Sequence, residues 1–314
     1  DPAVVDFWMD YGDRYLGKQS VLCKDTPAFI ANRIGFYTGN KVIELTQKFG
    51  LKIEEVDKLT GAAIGFPNTG SYRLVDLVGL DTSVKVTKGV LDNCPDDEYA
   101  SKVRAAGNPK FIEFLLENKF LGDKTKQGYY KKTNDRDDKG KRIILALDLE
   151  ALEYKPAIKP RLDAIGISKK VELMDKRLKQ MMALESDDGK FIKEFIIGTI
   201  AYTANRIPEI SDDIYSADNA MKAGYAWTYG PFEFADMIGI KYVIEHGKEL
   251  GESFPQWIQD MLSAGHETFY KLEDGQRKYY EIRSESYKVI PGSEDLIHLD
   301  NFRSREPIYK NTEC

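Results

Sequence analysis

Two kinds of side chain in this sequence could carry acid–base chemistry: a few histidines, and aspartates repeated at a fixed spacing. The histidines are His246, His266 and His298, so nothing before residue 246 offers an imidazole. A general base for a hydroxyl proton is most often a histidine oriented by a carboxylate. These three stand late in the chain, in or beside turn and hairpin patterns, and read as ordinary surface residues. Asp76 and Asp236 each sit near a helix start, between apolar residues and three positions before a glycine. Paired carboxylates can share acid and base roles, but a carboxylate bonding nearby backbone N–H groups is the commoner use. That second role is expected for both. Cys23, Cys94 and Cys314 form no Cys-x-x-Cys pair, so neither a metal site nor a disulfide framework is expected. No Gly-x-Gly-x-x-Gly follows a strand pattern, so the dinucleotide fingerprint is missing.

The elements that must hold these residues come in two copies. Gly65 to Leu80 and Ala226 to Ile240 share a Gly-containing turn, then aromatic-x-apolar-x-Asp-apolar-apolar-Gly-apolar. Asp76 pairs with Asp236 and Gly79 with Gly239, an offset of 160. Upstream, Asp57 pairs with Asp218 at an offset of 161, so the first copy's turn carries one extra residue. The reading is all-α: two repeats of one helical unit, over 26–132 and 185–282, each closed by a short β-hairpin. Thr26-Pro27 reads as a helix start. Ile30, Ile34, Tyr37, Val42, Leu45 and Phe49 then make an apolar stripe, with Gly50 as the cap. Phe191 to Ile207 reads as the second copy's apolar helix, broken by Pro208. Further helices are expected at 81–93, 109–118, 240–250 and 254–264. Strand signals fall at 128–131 with 142–147, around a charged insert (134–141), and at 268–271 with 278–282 around Asp274-Gly275. Residues 133–184 read as a linker and 283–314 as a tail. Residues 1–25 fit neither copy: a helix (Val4 to Tyr15) and a short strand (Ser20 to Cys23) resemble the end of an upstream α/β domain. The chain opens on Asp-Pro rather than Met, which implies a longer parent.

Composition sets the outer limits. The 314 residues suggest about two domains. A hydrophobic share of 42% with 31% charged is that of a soluble folded chain. A net charge of -6 argues against a nucleic-acid partner. No apolar run is long enough for a membrane span, and no leader is visible. The expected setting is cytoplasmic.

Lys24-Asp25-Thr26-Pro27-Ala28-Phe29-Ile30-Ala31-Asn32-Arg33-Ile34 resembles the segment that opens the C-terminal domain of 3-hydroxyacyl-CoA dehydrogenases. Gly65-Phe66-Pro67 followed by Asp76-Leu77-Val78-Gly79-Leu80-Asp81 is similar to the family's later signature. Leu121-Gly122-x-Lys124-Thr125-x-x-Gly128-Tyr129-Tyr130 is similar to its domain end. The resemblance covers most of residues 1–282. It implies helical units like the C-terminal domain of 6-phosphogluconate dehydrogenase. Two copies in tandem resemble the dehydrogenase region of bifunctional proteins that also carry an enoyl-CoA hydratase, here with a crotonase-like domain downstream. The implied activity is oxidation of a 3-hydroxyacyl-CoA to the 3-ketoacyl-CoA in fatty-acid β-oxidation. NAD and a His–Glu dyad would belong to an upstream Rossmann domain, so this chain alone should not turn over.

The resemblance assigns three residues. Asn32 matches the family's catalytic asparagine, whose amide can donate to the oxygen that gains charge. Pro67 and Asn68 match a turn that lines the acyl pocket. Ala204-Asn205-Arg206-Ile207 repeats the letters around Asn32, but Asn205 lies 13 residues before Asp218 whereas Asn32 lies 25 before Asp57. In register, Asn32 corresponds to Lys193, so the second copy has no such amide. Its expected role is to cover an apolar face that single-copy relatives bury by dimerising. The competing reading is a non-catalytic helical scaffold or oligomerisation module, which would have no use for residues 1–25.

Overall fold

The computed structural model describes residues 1–273 and 275–293. Within them, helices alternate with two small antiparallel sheets. The first helix, α1 (Pro2–Arg14), is capped by Asp1, whose carboxylate accepts from the Ala3 amide. Residues 20–23 form no strand, contrary to expectation, because no neighbouring strand completes a ladder with them among the described residues.

The helix α2 (Ala31–Phe49) begins four residues after Pro27, later than the Thr-Pro pair suggests. Ala28 and Phe29 take positive φ values of 65° and 51°, which a helix cannot continue through, so the chain makes a tight turn first. The stripe is as expected: Ile34, Tyr37, Val42 and Leu45 are buried, and Gly50 caps the helix at φ 61°. Then follow α3 (Ile53–Leu59), α4 (Gly70–Val78), α5 (Leu80–Asn93), α6 (Glu98–Ala106) and α7 (Lys110–Glu117).

The first sheet is a three-stranded meander: β1 (Tyr130–Arg136), β2 (Arg142–Asp148) and β3 (Glu153–Pro156). It runs across the expected boundary at 132 and into the span read as linker. The third strand was not expected because four residues, Glu-Tyr-Lys-Pro, are too short to show alternation. The rest of that span forms α8 (Asp163–Ser168) and α9 (Met174–Met182), whose Ala164, Leu178, Met181 and Met182 join the core.

The second half opens with α10 (Asp187–Asn205), apolar around most of its circumference because it lies at the centre of the molecule. It packs against α2, α9, α12 and α13. After it come α11 (Ile214–Tyr225), α12 (Pro231–Ile238), α13 (Ile240–Glu249) and α14 (Gln256–Ser263). A second meander follows: β4 (Tyr270–Glu273), β5 (Gln276–Glu281) and β6 (Ser286–Val289). β6 lies in the segment read as tail; the remainder of that tail, with His298 and Cys314, falls outside the described residues.

The two halves repeat a set of contacts. Leu147 N donates to Tyr129 O at 2.9 Å, and Tyr280 N donates to Phe269 O at 2.8 Å. The Tyr154 hydroxyl donates to Gly128 O, and the Tyr287 hydroxyl to Thr268 O, both at 2.5 Å. The long helices α2 and α10 cross in the middle, where Tyr37 stacks on Tyr202 with centroids 4.5 Å apart.

Candidate active site

The first turn of α2 places two neighbouring side chains on opposite sides. Arg33 points inward and is fully buried; Asn32 is exposed. Because α2 starts at Ala31, Asn32 is the second helical residue, not one and a half turns in as the Thr-Pro start implied.

Arg33 fixes that turn. Its guanidinium donates to Asp97 at 2.8 and 3.1 Å, the Tyr202 hydroxyl at 2.9 Å and Cys94 Sγ at 2.8 Å, and pairs with Glu209 at 2.8 Å. Asp97 also caps α6, accepting from Tyr99 N and Ala100 N, and receives the Tyr202 hydroxyl at 2.7 Å. Burial alone would raise the Asp97 carboxyl. The Ala100 amide, the Tyr202 hydroxyl and the Arg206 and Arg33 guanidiniums hold it below its ordinary value. Burial pushes the Cys94 thiol up. The cluster joins α2 and α6 of the first half to α10 and Glu209 of the second.

Asn32 meets the second half as well. Its Oδ1 accepts from the Tyr225 hydroxyl, at the end of α11, at 3.2 Å. Asn205 is placed quite differently, with its amide donating to Ala201 O at 2.9 Å and Ser253 O at 2.7 Å. Lys193, the residue in register with Asn32, lies beside His246 at 3.1 Å. Counted from the helix starts instead, Asn32 corresponds to Asp188, whose carboxylate accepts from Ala164 N.

The turn holding Pro67 and Asn68 lies at the junction of the halves. Phe66 stacks on Trp227 with centroids 3.9 Å apart, and Gly65 O accepts from Thr228 N at 2.8 Å. Asn68 lines a cavity of about 900 Å³ with Lys58, Arg73, Tyr130 and Lys159; neither Pro67 nor Asn32 lines it. The three residues assigned by resemblance therefore do not meet in one cavity.

The repeated aspartates are structural, but their partners are not local. Asp76 accepts from Tyr129 N and Tyr130 N, both at 2.8 Å; Asp236 accepts from Phe269 N and Tyr270 N at 2.7 and 2.8 Å. Each tethers a helix to the start of its sheet. Asp57 and Asp218 do a second job, capping α4 and α12 and accepting from the Tyr130 and Tyr270 hydroxyls. Burial pushes Asp57 and Asp236 up to about 7 and Asp76 up to about 6, against the pull of those donors. His246 pairs with Glu249 at 2.6 Å and His266 packs between Tyr280 and Tyr287. Among the described residues no cluster could hold a metal ion, and no helix is long and apolar enough to cross a membrane.

Residues 29–132 match the family model described as 3-hydroxyacyl-CoA dehydrogenase, C-terminal domain. This segment belongs to that domain family. The 3-hydroxyacyl-CoA dehydrogenase signature thus spans α2 to β1, with Asn32 in its first turn. The chain is also 36% identical to a probable 3-hydroxyacyl-CoA dehydrogenase of Bacillus subtilis, over 98% of the chain and 37% of the relative. It is 30% identical to the fatty acid oxidation complex subunit alpha of Psychrobacter arcticus, over 81% of the chain and 32% of the relative. It therefore spans about a third of the length of such relatives. A solved 3-hydroxybutyryl-CoA dehydrogenase from Escherichia coli shares the fold at a TM-score of 0.53 and 18% identity, over 80% of this chain and 63% of that one.

Proposed function

We propose that this chain is the substrate-side helical portion of an NAD-dependent 3-hydroxyacyl-CoA dehydrogenase of fatty-acid β-oxidation, built from two copies of one unit. The observation that carries the reading is Asn32. It is an exposed amide on a turn locked by the buried Arg33, inside the segment that matches the family domain. Among the described residues no acceptor takes its Nδ2–H groups, so they are free to donate to the oxygen of a 3-hydroxyacyl group as it becomes a ketone.

The rest of the machinery lies elsewhere in this reading. Both sheets are antiparallel meanders, and neither feeds a helix through a Gly-rich turn, so the described residues do not fit a dinucleotide. An upstream Rossmann domain would hold NAD and the His–Glu dyad, and a hydratase domain would lie downstream. The helix α1 supports the upstream part. Val4, Phe7 and Trp8 are exposed, Trp8 by 59%, and no described residue covers that face. The matching Asp57/Asp218 and Asp76/Asp236 contacts support the duplication.

Steady-state kinetics on the longer enzyme test this. Asn32→Ala should lower kcat by roughly 100- to 1,000-fold, the loss seen for a missing oxyanion donor. Asn205→Ala should stay within about three-fold of wild type, since its amide serves only backbone carbonyls. Equal losses would refute the assignment.

A further inference from the structure

Tyr225 belongs to the second half, yet its hydroxyl reaches the one residue of the first half to which we assign chemistry. We propose that Tyr225 is a positioning residue for Asn32: the half without an amide of its own supplies the hydroxyl that sets which way the amide faces. The proposal rests on the reading of Asn32 given above.

An asparagine amide has two nearly isosteric ends, and its terminal torsion is broad. At an exposed helix start nothing intrinsic to α2 tells Oδ1 from Nδ2. A catalytic donor must present Nδ2 outward, because an outward Oδ1 would repel a developing oxyanion. Tyr225 breaks the tie. Burial raises its phenol, so it stays protonated at neutral pH and has a proton to place. Among the described residues the only acceptor for that proton is Asn32 Oδ1. With Oδ1 engaged, both Nδ2 hydrogens are left for substrate.

The backbone makes room for this contact on both sides. Gly35 lies one turn after Asn32, and a Cβ there would overlap the Tyr225 hydroxyl. Gly224 precedes Tyr225, and a Cβ there would press on the Ala31 Cβ. The Gly35 clearance admits the end of the ring as well as the hydroxyl, since the same Cβ would meet Tyr225 Cζ at 2.6 Å. The second half is thus more than a cover: it completes the site by one hydroxyl.

The test uses Tyr225→Phe and Gly35→Ala in the full dehydrogenase, with chemical denaturation midpoints to show that each folds. Losing one hydrogen bond of ordinary strength should lower kcat roughly 3- to 10-fold, with KM within about two-fold of wild type. In the Asn32→Ala background, Tyr225→Phe should have no further effect. In the chain itself, Tyr225→Phe should shift the Asn32 side-chain amide resonances in a nitrogen–proton correlation spectrum. A wild-type kcat for Tyr225→Phe, alongside a large loss for Asn32→Ala, would overturn the proposal and leave the reading of Asn32 in place. An undiminished Tyr225→Phe effect in the Asn32→Ala background would overturn it too, since the tyrosine would then act elsewhere. A wild-type rate for Asn32→Ala would sink the reading, and the proposal with it.

Discussion

Replacing Arg33 with Met would remove every contact of its guanidinium at the base of the candidate site while keeping an apolar stem of similar length. Truncating one partner of a buried pair costs about 3–5 kcal/mol, mostly by stranding the other charge. Here Asp97 would not be fully stranded. It would keep two backbone amides, the Tyr202 hydroxyl and Arg206 at 3.6 Å. Glu209 is 40% exposed and would turn to water. The loss should therefore sit at the low end, about 3 kcal/mol. Asp97→Ala should cost more, about 4–5 kcal/mol, because it also strips the α6 cap, worth about 1 kcal/mol. Urea unfolding followed by tryptophan fluorescence measures both, since Trp227 is buried at the junction of the halves. A loss below about 1 kcal/mol for Arg33→Met, the size of an exposed pair, would refute the argument. Acid gives a second check. Asp97 is held below its ordinary value, so its stabilisation is complete above the unfolded value near about 3.9 and fades as pH falls through the lower folded one. Wild type and Asp97→Asn should converge in stability below that pH, and a constant gap would contradict the ion pairing.

Two further outcomes follow from the backbone and the sheets. Gly128→Ala should cost about 1–3 kcal/mol, because a Cβ there overlaps Asp76 Oδ1, whereas Gly39→Ala meets nothing and should gain about 0.5–1 kcal/mol as a helix interior loses a glycine. Thermal melts of the two variants should move in opposite directions. Calorimetric titration of NADH into the chain should give no saturable heat, and low-micromolar binding would overturn the placement of the cofactor site outside it.

What was legible in the sequence is what local chemistry determines. The apolar stripe of α2, its Gly50 cap and the break at Pro208 depend on residues within a few positions of each other, and the paired aspartates show as a repeat of letters. The late start of α2 was not legible. Thr26-Pro27 has the right letters for a cap, but Ala28 and Phe29 adopt a turn that neither favours intrinsically, and only the packing of Ile30 and Arg33 explains why. The third strands are hidden by brevity, each marked by one tyrosine whose hydroxyl donates to the carbonyl two positions before the first strand of its sheet. The letters around the aspartates suggest local caps, yet Asp76 and its partners Tyr129 and Tyr130 are more than fifty residues apart. The Asn32–Tyr225 contact spans 193 positions and has no periodic signature at all.

The crossing of α2 and α10 also has a consequence for how the molecule is made. A ribosome releases chain at roughly 5–20 residues per second. The stripe of α2 is complete at Phe49, but Tyr202, its stacking partner, is synthesised about 150 residues later, a wait of roughly 8–30 s at that speed. During that interval Ile34 and Tyr37 have no α10 to cover them. A homodimer would extend the wait by a search for a second molecule, at a rate set by concentration. In the duplication proposed above, joining the two units in one chain replaces that search with a fixed delay.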